Sequence, residues 1–265
     1  MAKAGLRDYE KPVGCYLFVG PTGTGKTELA RQLATFCSMS LSRFDMSEYM
    51  ESHSVSRLIG SPPGYAGYDK GGLLTDAIEK ANPEVFNILL QIMDYGKLTD
   101  TVGKTVDFRN AIIILTANSG AEEYSKQKIG FGKEDTHGSE QAMKIVEETF
   151  SPEFRDRLDK IIMFNPLNDE VIGMIIDKTI KELGEQLADK KVRIEVGDSA
   201  KEYLTKKCFG LRKHGGARLL EREVDNEIKQ KIAEEILFGD LRKGGAVDIA
   251  AKNNILDFGF KTLSA

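Results

Sequence analysis

The 265-residue sequence has no tryptophan and only three cysteines, three histidines and seven prolines. Cys15, Cys37 and Cys208 form an odd and scattered set, which argues against a disulfide framework or a cysteine-based metal site. No apolar run approaches the length of a membrane span, and the first ten residues lack the apolar core of a signal peptide. These absences predict a cytoplasmic protein with reduced thiols and no membrane partner.

A strong excess of one charge is also missing, because 37 basic residues stand against 41 acidic ones, for a formal net charge of −4. This balance argues against a broad nucleic-acid-binding surface, so we expect no nucleic-acid partner. With 41% hydrophobic residues, a chain of this length can bury one good core and a smaller one. We therefore expect one large and one small domain.

What the sequence does have is a glycine-rich stretch of the pattern G-x-x-x-x-G-K-[ST] at residues 20–27. It follows the apolar run 15–19 and leads into helical spacing from Leu29 to Phe36, the strand–loop–helix context of a phosphate-binding loop. Backbone N–H groups of such a loop surround a polyphosphate at a helix N-terminus, and the alternative is a chance glycine-rich turn. We predict that ATP or ADP binds here, with Lys26 at the β/γ-phosphates and Thr27 as the Mg²⁺ ligand. The full predicted set is Gly20, Pro21, Thr22, Gly23, Thr24, Gly25, Lys26 and Thr27.

The chain changes character near Pro166. Before it, short apolar runs alternate with helical patterns, which predicts a parallel α/β sheet. The predicted strands are 16–19, 41–44, 111–115 and 160–164. We expect a large nucleotide-binding domain over residues 1–165.

After Pro166 the apolar period becomes helical, with one stripe running from Val171 to Leu187. Further helices are predicted at 200–208 and 218–237. Alternation at 247–251 and 255–260 predicts a terminal β-hairpin. These elements predict a small C-terminal domain over residues 166–265.

Several separate motifs occur in one order and together resemble a known family. They are the phosphate loop, a glycine–aromatic loop, an apolar strand ending in asparagine, an arginine pair and a Gly-Ala-Arg sequence. The stretches 43–50, 54–60, 62–65, 71–75 and 154–159 are similar to family signatures as well. From about residue 4 to the end, the chain resembles the AAA+ ATPases of the Clp unfoldase clade. The resemblance implies an α/β AAA+ P-loop NTPase domain with a small α-helical lid ending in a β-hairpin, assembled as a homo-hexamer.

The resemblance also implies catalytic roles for three residues besides Lys26. Asn118, after the apolar strand, resembles an asparagine that orients the attacking water, with a turn or capping residue as the alternative. Arg157 resembles the arginine finger that reaches a neighbouring subunit's nucleotide. Arg155 is the competing candidate, and a solvated charge at a helix end is the alternative. Arg218, expected at the start of a lid helix, resembles an arginine that contacts ATP and reports on its γ-phosphate. Its alternative is an ordinary arginine of an amphipathic helix.

Two loops carry the expected partners. The residues Gly64, Tyr65, Ala66 and Gly67 place an aromatic ring between glycines, and they resemble a pore loop that grips unfolded or tagged protein substrates. A packed surface tyrosine is the alternative. Residues 97–108 resemble the hairpin that precedes the asparagine-ending strand. The apolar residues Ile129, Gly130 and Phe131 stand in a polar loop and resemble a docking tripeptide for a ClpP-like peptidase, the alternative being a loop anchored on its own domain.

One part of the family pattern is absent. The clade has a second apolar strand ending in Asp-Glu, whose carboxylates hold the Mg²⁺ shell and activate water. Here residues 73–77 continue directly into 78–83, so we expect no such strand, and we expect Asp76 and Glu79 to lie in flanking helices.

The function implied by the resemblance is an ATPase that threads protein chains through a hexamer pore into a ClpP-like peptidase. Taken literally, the missing acidic strand favours a second hypothesis, a nucleotide-binding assembly module without turnover. A nucleic-acid motor is a third and less favoured hypothesis, because basic and aromatic residues are not interleaved.

Overall fold

The computed structural model describes residues 8–51, 71–76, 78–99, 103–118 and 136–262. The chain divides into two compact units, Met1–Asn165 and Pro166–Ala265. Among the described residues, no helix combines the length and the apolar composition that a bilayer span needs.

The first unit is built on a five-stranded parallel sheet, which confirms the predicted α/β class. The strands of this unit are β1 Gly14–Val19, β2 Ser40–Asp45, β3 Gly71–Asp76, β4 Lys97–Thr99, β5 Thr105–Asp107, β6 Ile112–Ala117 and β7 Lys160–Met163. In the sheet the order is β2-β3-β6-β1-β7, and β4 and β5 form a separate antiparallel hairpin. The inner strand β1 is apolar on both faces, as expected for a strand covered by helices on both sides.

Strand β3 corrects the expectation for residues 73–77. Leu73 pairs with Ser42 on one side and Ile113 on the other, so Gly71–Asp76 fills the place between β2 and β6. Asp76 therefore ends a central strand and is not part of a flanking helix. The physical reason is that the backbone N–H and C=O groups on the facing edges of β2 and β6 need hydrogen-bond partners. This requirement outweighs the local composition of a six-residue segment.

Helices cover both faces of this sheet. They are α1 Lys26–Phe36, α2 Pro83–Tyr95, α3 Thr136–Thr149 and α4 Pro152–Arg155, with short 3₁₀ turns at Met46–Tyr49 and Ile78–Lys80. The larger core includes Phe86, Phe150 and Phe154, whose ring centroids lie 5.2 to 6.1 Å apart. On the opposite face Ala30 of α1 packs with Phe18 and Ile114. The aromatic cluster fixes α4, which precedes the predicted arginine finger.

Local signals explain where α2 and α4 begin. The Asn82 side chain accepts a hydrogen bond from the Glu84 N–H at 3.0 Å, and proline follows at the first helical position. The Ser151 hydroxyl accepts from the Phe154 N–H at 3.2 Å, again with proline next. Both are N-cap arrangements of the kind that stop fraying of a helix start.

The second unit contains three helical segments and a three-stranded sheet. Its elements are α5 Asp169–Ala188, β8 Val192–Val196, α6 Asp198–Val224, a π-helical turn Asp225–Lys229, α7 Gln230–Phe238, β9 Gly245–Lys252 and β10 Ile255–Thr262. The predicted hairpin is present as antiparallel β9 and β10. Asn253 and Asn254 form its two-residue turn, with φ of 52° and 59°.

The helices of this unit differ from the expectation in one place. Residues 198–224 form one continuous helix, so Gly215 and Gly216 do not separate two helices, and Arg218 lies inside α6 instead of at a helix start. The three glycines of this helix, Gly210, Gly215 and Gly216, cost about 1 kcal/mol each in a helix interior. Packing of Ala200, Leu204, Leu220 and Val224 into the core of the unit offsets that cost.

Candidate nucleotide-binding site

The predicted phosphate loop joins the buried strand β1 to helix α1. Gly20, Gly23 and Gly25 have φ of +150°, +76° and +93°, values that L side chains rarely adopt. A Cβ on Gly20 would lie 2.3 Å from the carbonyl oxygen of Phe164, which is held in place because the Phe164 N–H donates to Val19. Gly25 is the left-handed residue from which α1 starts. The backbone therefore has the turn that a phosphate cradle at a helix N-terminus requires.

Lys26 lies inside this loop. Its ammonium Nζ donates to the carbonyl oxygens of Gly20 at 2.6 Å and Pro21 at 2.8 Å, and only 6% of the residue is exposed. The Thr24 hydroxyl donates to Pro21 at 2.8 Å and closes the same turn. A buried cation held by two carbonyls at a helix start is a suitable partner for a polyphosphate.

Asn118 follows the strand next to the loop. Strands β1 and β6 pair in parallel with Val19 opposite Ala117, so Gly20 and Asn118 are the next residues of adjacent strands. The Gly20 N–H donates to the Ala117 carbonyl at 3.3 Å. The sheet thus brings the predicted water-orienting residue to the edge that carries the phosphate loop, and polar side chains at that edge commonly bind ligands.

Two other strands of the sheet end in an acidic residue at the edge that carries the phosphate loop. Asp76 closes β3, and Asp45 closes β2 directly opposite it in the register. Asp45 caps the following 3₁₀ turn, where Ser47 donates backbone and hydroxyl hydrogen bonds that hold the pKa of this carboxyl below its usual value. Asp76 therefore ends β3 at the same carboxyl edge of the sheet as the phosphate loop and Asn118. Ala77, and not glutamate, follows it in the sequence.

The arginine pair after the aromatic cluster is divided between two environments. Arg157 Nε donates to Asp94 Oδ2 at 2.8 Å and Arg157 Nη1 donates to the Glu153 carbonyl at 2.7 Å. Hydrogen bonding to Asp94 raises the pKa of Arg157 above its usual value. Arg155 instead pairs with Glu147 of α3 at 3.4 Å, and its buried Nε has no hydrogen-bond partner among the described atoms.

The remaining predicted residues lie wholly or partly outside the described part of the structure. Arg218 is a residue of α6 in the second unit, and its side chain lies outside the described part. The pore-loop residues 64–67 and the docking residues 129–131 lie outside the described residues. No cluster of three or more His, Cys, Asp or Glu side chains in the described ranges is arranged to hold a metal ion.

Sequence reasoning missed one residue near the arginine pair. Asp94, near the end of α2, is 63 positions from Arg157 and contacts it only through the fold. The sequence offers no signal for this pair, because Asp94 has neither a motif nor a helical spacing in common with Arg157. Only a structure could have found it.

The sheet order, the glycine-rich loop after β1 and the asparagine after β6 define the class of protein, a P-loop nucleotide-binding domain followed by a small helical unit. Residues 11–161 match the family model "AAA domain (Cdc48 subfamily)", and residues 167–249 match the model of the C-terminal, D2-small domain of ClpB protein.

The relatives are similar over nearly the whole chain. A ClpA homolog protein of Fuscovulum blasticum is 51% identical over 269 residues, covering 97% of this chain and 33% of the relative. Chaperone protein ClpB of Brucella suis biovar 1 is 44% identical over 275 residues, covering 97% and 31%. Chaperone protein ClpB of Rickettsia bellii is 45% identical over 272 residues, covering 96% and 31%. The chain belongs to the AAA family of ATPases, in the Clp unfoldase clade, and spans about a third of the length of these curated relatives.

Proposed function

We propose that this chain is an ATP-dependent protein-unfolding module that acts in a homo-hexamer in the cytoplasm. The observation that carries the proposal is the buried Lys26 ammonium inside a glycine loop with positive φ angles. This loop leaves β1 beside the strand end that Asn118 follows. The membership in the Clp clade supports protein chains as the substrate class.

Each residue of the site then has a chemical task. Residues 20–27 hold ATP or ADP, with the Lys26 charge moving from the loop carbonyls to the β/γ-phosphates. Thr27 and Asp76 would be the oxygen donors for Mg²⁺, which would neutralise charge on the phosphates. Asn118 orients the attacking water, and Arg218 and Arg157 contact the γ-phosphate from the second unit and from a neighbouring copy of the chain.

The nucleotide assignment is tested by isothermal calorimetry with ATP. Lys26→Ala is expected to weaken ATP binding by at least about tenfold, because a charge-assisted contact to the phosphates is lost. Lys190→Ala, which removes an exposed lysine of the second unit, is the control and should bind as the wild type does. Equal affinities for wild type and Lys26→Ala would contradict the assignment.

The rate of turnover decides between a motor and the static assembly module, our second candidate. The observation that favours the static module is Ala77 after Asp76, because a carboxylate at this place would activate water and general-base catalysis contributes about 10²–10⁴-fold. The static module predicts slow phosphate release by the wild type and faster release by Ala77→Glu, whereas the motor predicts rapid release by the wild type. Rapid release by the wild type that Ala77→Glu does not raise would exclude the static module.

We propose two protein partners, a translocated substrate chain and a ClpP-like peptidase, from the two loops and from the relatives. Tyr65, with its flanking glycines, is proposed to grip the translocating chain, and Ile129–Phe131 to dock on a ClpP-like peptidase. Similarity to a ClpA homolog and to ClpB chaperones leaves a chaperone that acts without a peptidase as the competing function. Co-sedimentation with a ClpP peptidase separates the two.

A further inference from the structure

The guanidinium of Arg157 is held on two sides by carboxyl-bearing residues of its own unit. Asp94 Oδ2 accepts from Nε at 2.8 Å. Glu153 accepts from Nη1 at 2.7 Å through its backbone carbonyl and pairs with Nη2 at 3.2 Å through its side chain. A guanidinium is a planar fork of five N–H donors, so fixing one edge fixes the direction of the others.

The two carboxylates differ in how firmly they are placed. Asp94 is 29% exposed and belongs to a thirteen-residue helix whose Leu89, Ile92 and Met93 are buried in the core. Glu153 is 65% exposed and belongs to the four-residue helix α4. A partly buried charge pair is screened less by solvent than an exposed one. The Asp94 contact is therefore the more persistent of the two.

The backbone that leads to Arg157 is also anchored. Phe154 is 1% exposed and stacks on Phe150 at 5.7 Å, and the Arg157 N–H donates to the Phe154 carbonyl at 3.3 Å. Arg155 has a different environment, with its Nε buried and its terminal amine near Glu147. Arg157 thus has its Nε on the more firmly placed carboxylate of Asp94, while its Nη2 amine pairs with the exposed Glu153 side chain.

We propose that Asp94 is a positioning residue for Arg157, anchoring the Nε edge so that the Nη1 and Nη2 amines are presented to the triphosphate of an adjacent copy of this chain. Glu153 occupies these amines until the more highly charged triphosphate displaces it. The inference rests on the proposed role of Arg157 at a neighbouring nucleotide.

The test is the self-association of the full 265-residue chain, measured by sedimentation velocity against the concentration of ATPγS. Asp94→Leu is expected to raise the ATPγS concentration needed for half-maximal association about tenfold. This is the effect of losing one charge-assisted hydrogen bond. Asp94→Asn should raise it less, because the amide oxygen still accepts from Nε. Glu153→Gln, the matched change at the other carboxylate, should lower it, because a neutral amide competes less well than a carboxylate with the triphosphate for the Nη2 amine.

A double-mutant cycle separates positioning from general stability. In the Arg157→Ala background, Asp94→Leu should have no further effect, because Asp94 acts through that arginine. In parallel, the NMR signal of the Arg157 Nε–H should exchange slowly in the wild type and in Glu153→Gln, and rapidly in Asp94→Leu.

The outcomes distinguish this inference from the proposed function. A wild type that does not associate with ATPγS, or an Arg157→Ala variant that associates equally well, overturns the proposed function and this inference with it. If Arg157→Ala weakens association and Asp94→Leu does not, the positioning role alone is wrong. An additive loss in the double variant overturns it as well.

Discussion

At the scale of single residues, the phosphate loop depends on backbone geometry as much as on its lysine. Gly20 passes so close to the end of β7 that a side chain has no space, and its φ of +150° is unfavourable for any L residue. Lys26 then meets carbonyl oxygens that only this turn brings together. The glycines of the motif are therefore needed to form the turn, and the lysine can act only when this turn has formed.

Gly20→Ala tests whether the backbone turn is required for both stability and ATP binding. The substitution is expected to lower the free energy of unfolding by about 1–3 kcal/mol, because it combines a strained φ with an approach of 2.3 Å to the Phe164 carbonyl, and to weaken ATP binding. Urea denaturation and calorimetry measure the two effects. Gly173→Ala is the control, since a Cβ there has no atom within 4 Å and helix α5 should gain up to about 1 kcal/mol.

Cys15 predicts a dependence of stability on alkaline pH. Burial, and to a smaller extent Asp159, raises the pKa of Cys15 to about 12. Between an unfolded thiol pKa of roughly 8.5 and this value, the unfolded chain loses a proton that the folded chain keeps, so stability falls as pH rises. We expect the wild type to lose about 1–2 kcal/mol more than Cys15→Ala between about pH 8 and pH 10 in urea denaturation. Equal slopes for the two proteins would show that the thiol does not contribute.

At the scale of elements, the sequence predicted the parts that local pattern controls and missed those that neighbours control. The strands β1 and β6 are apolar runs, and the Asn253–Asn254 turn is a local signal, so both could be predicted. Strand β3 could not, because its assignment follows from the open ladders of β2 and β6 and not from its own composition. The same holds for the site, because the lysine follows from its glycine-rich motif and Asn118 from the apolar strand before it. The Asp94–Arg157 contact joins residues 63 positions apart and has no local signal.

Leu74→Pro tests the place of β3 in the sheet. Leu74 is paired with both Arg43 and Ile114, and proline removes a ladder donor in the middle of the sheet. The loss of an interior hydrogen bond should cost about 1–3 kcal/mol, in addition to any steric strain. Leu74→Ala, which keeps the ladder, is the comparison in urea denaturation. If both variants lose the same stability, these residues do not form a central strand.

At the scale of the whole molecule, the two units have separate cores and the matched families divide the chain in the same way. Residues 11–161 and 167–249 correspond to different domain models, and the chain spans about a third of its relatives' length. The two loop proposals are therefore tested in a complete parent protein, by assays of substrate unfolding and degradation.

Tyr65→Ala and Phe131→Ala should fail in different ways in such a parent protein. Tyr65→Ala removes the proposed grip, so ATP turnover should persist while unfolding of a tagged substrate falls. Phe131→Ala removes an apolar anchor worth roughly 1.5–3 kcal/mol when fully buried, so unfolding should persist while peptidase-coupled degradation falls, more steeply if six loops bind together. Wild-type binding of the Phe131→Ala variant to ClpP in interferometry would exclude the docking proposal.

The π-helical turn Asp225–Lys229 gives the second unit a further property. The buried residues Leu220, Val224, Ile228 and Ile232 follow one another at intervals of four. In a regular helix of 3.6 residues per turn, each such step overshoots by about 40°, so three steps would carry the apolar stripe about a third of the way around the axis. A wider turn rotates less per residue and brings the stripe back into phase with the core. Helices α6 and α7 thus form one continuous helical segment whose buried residues recur at every fourth position. The π-helical turn sets the rotation of α7 about the helix axis relative to α6.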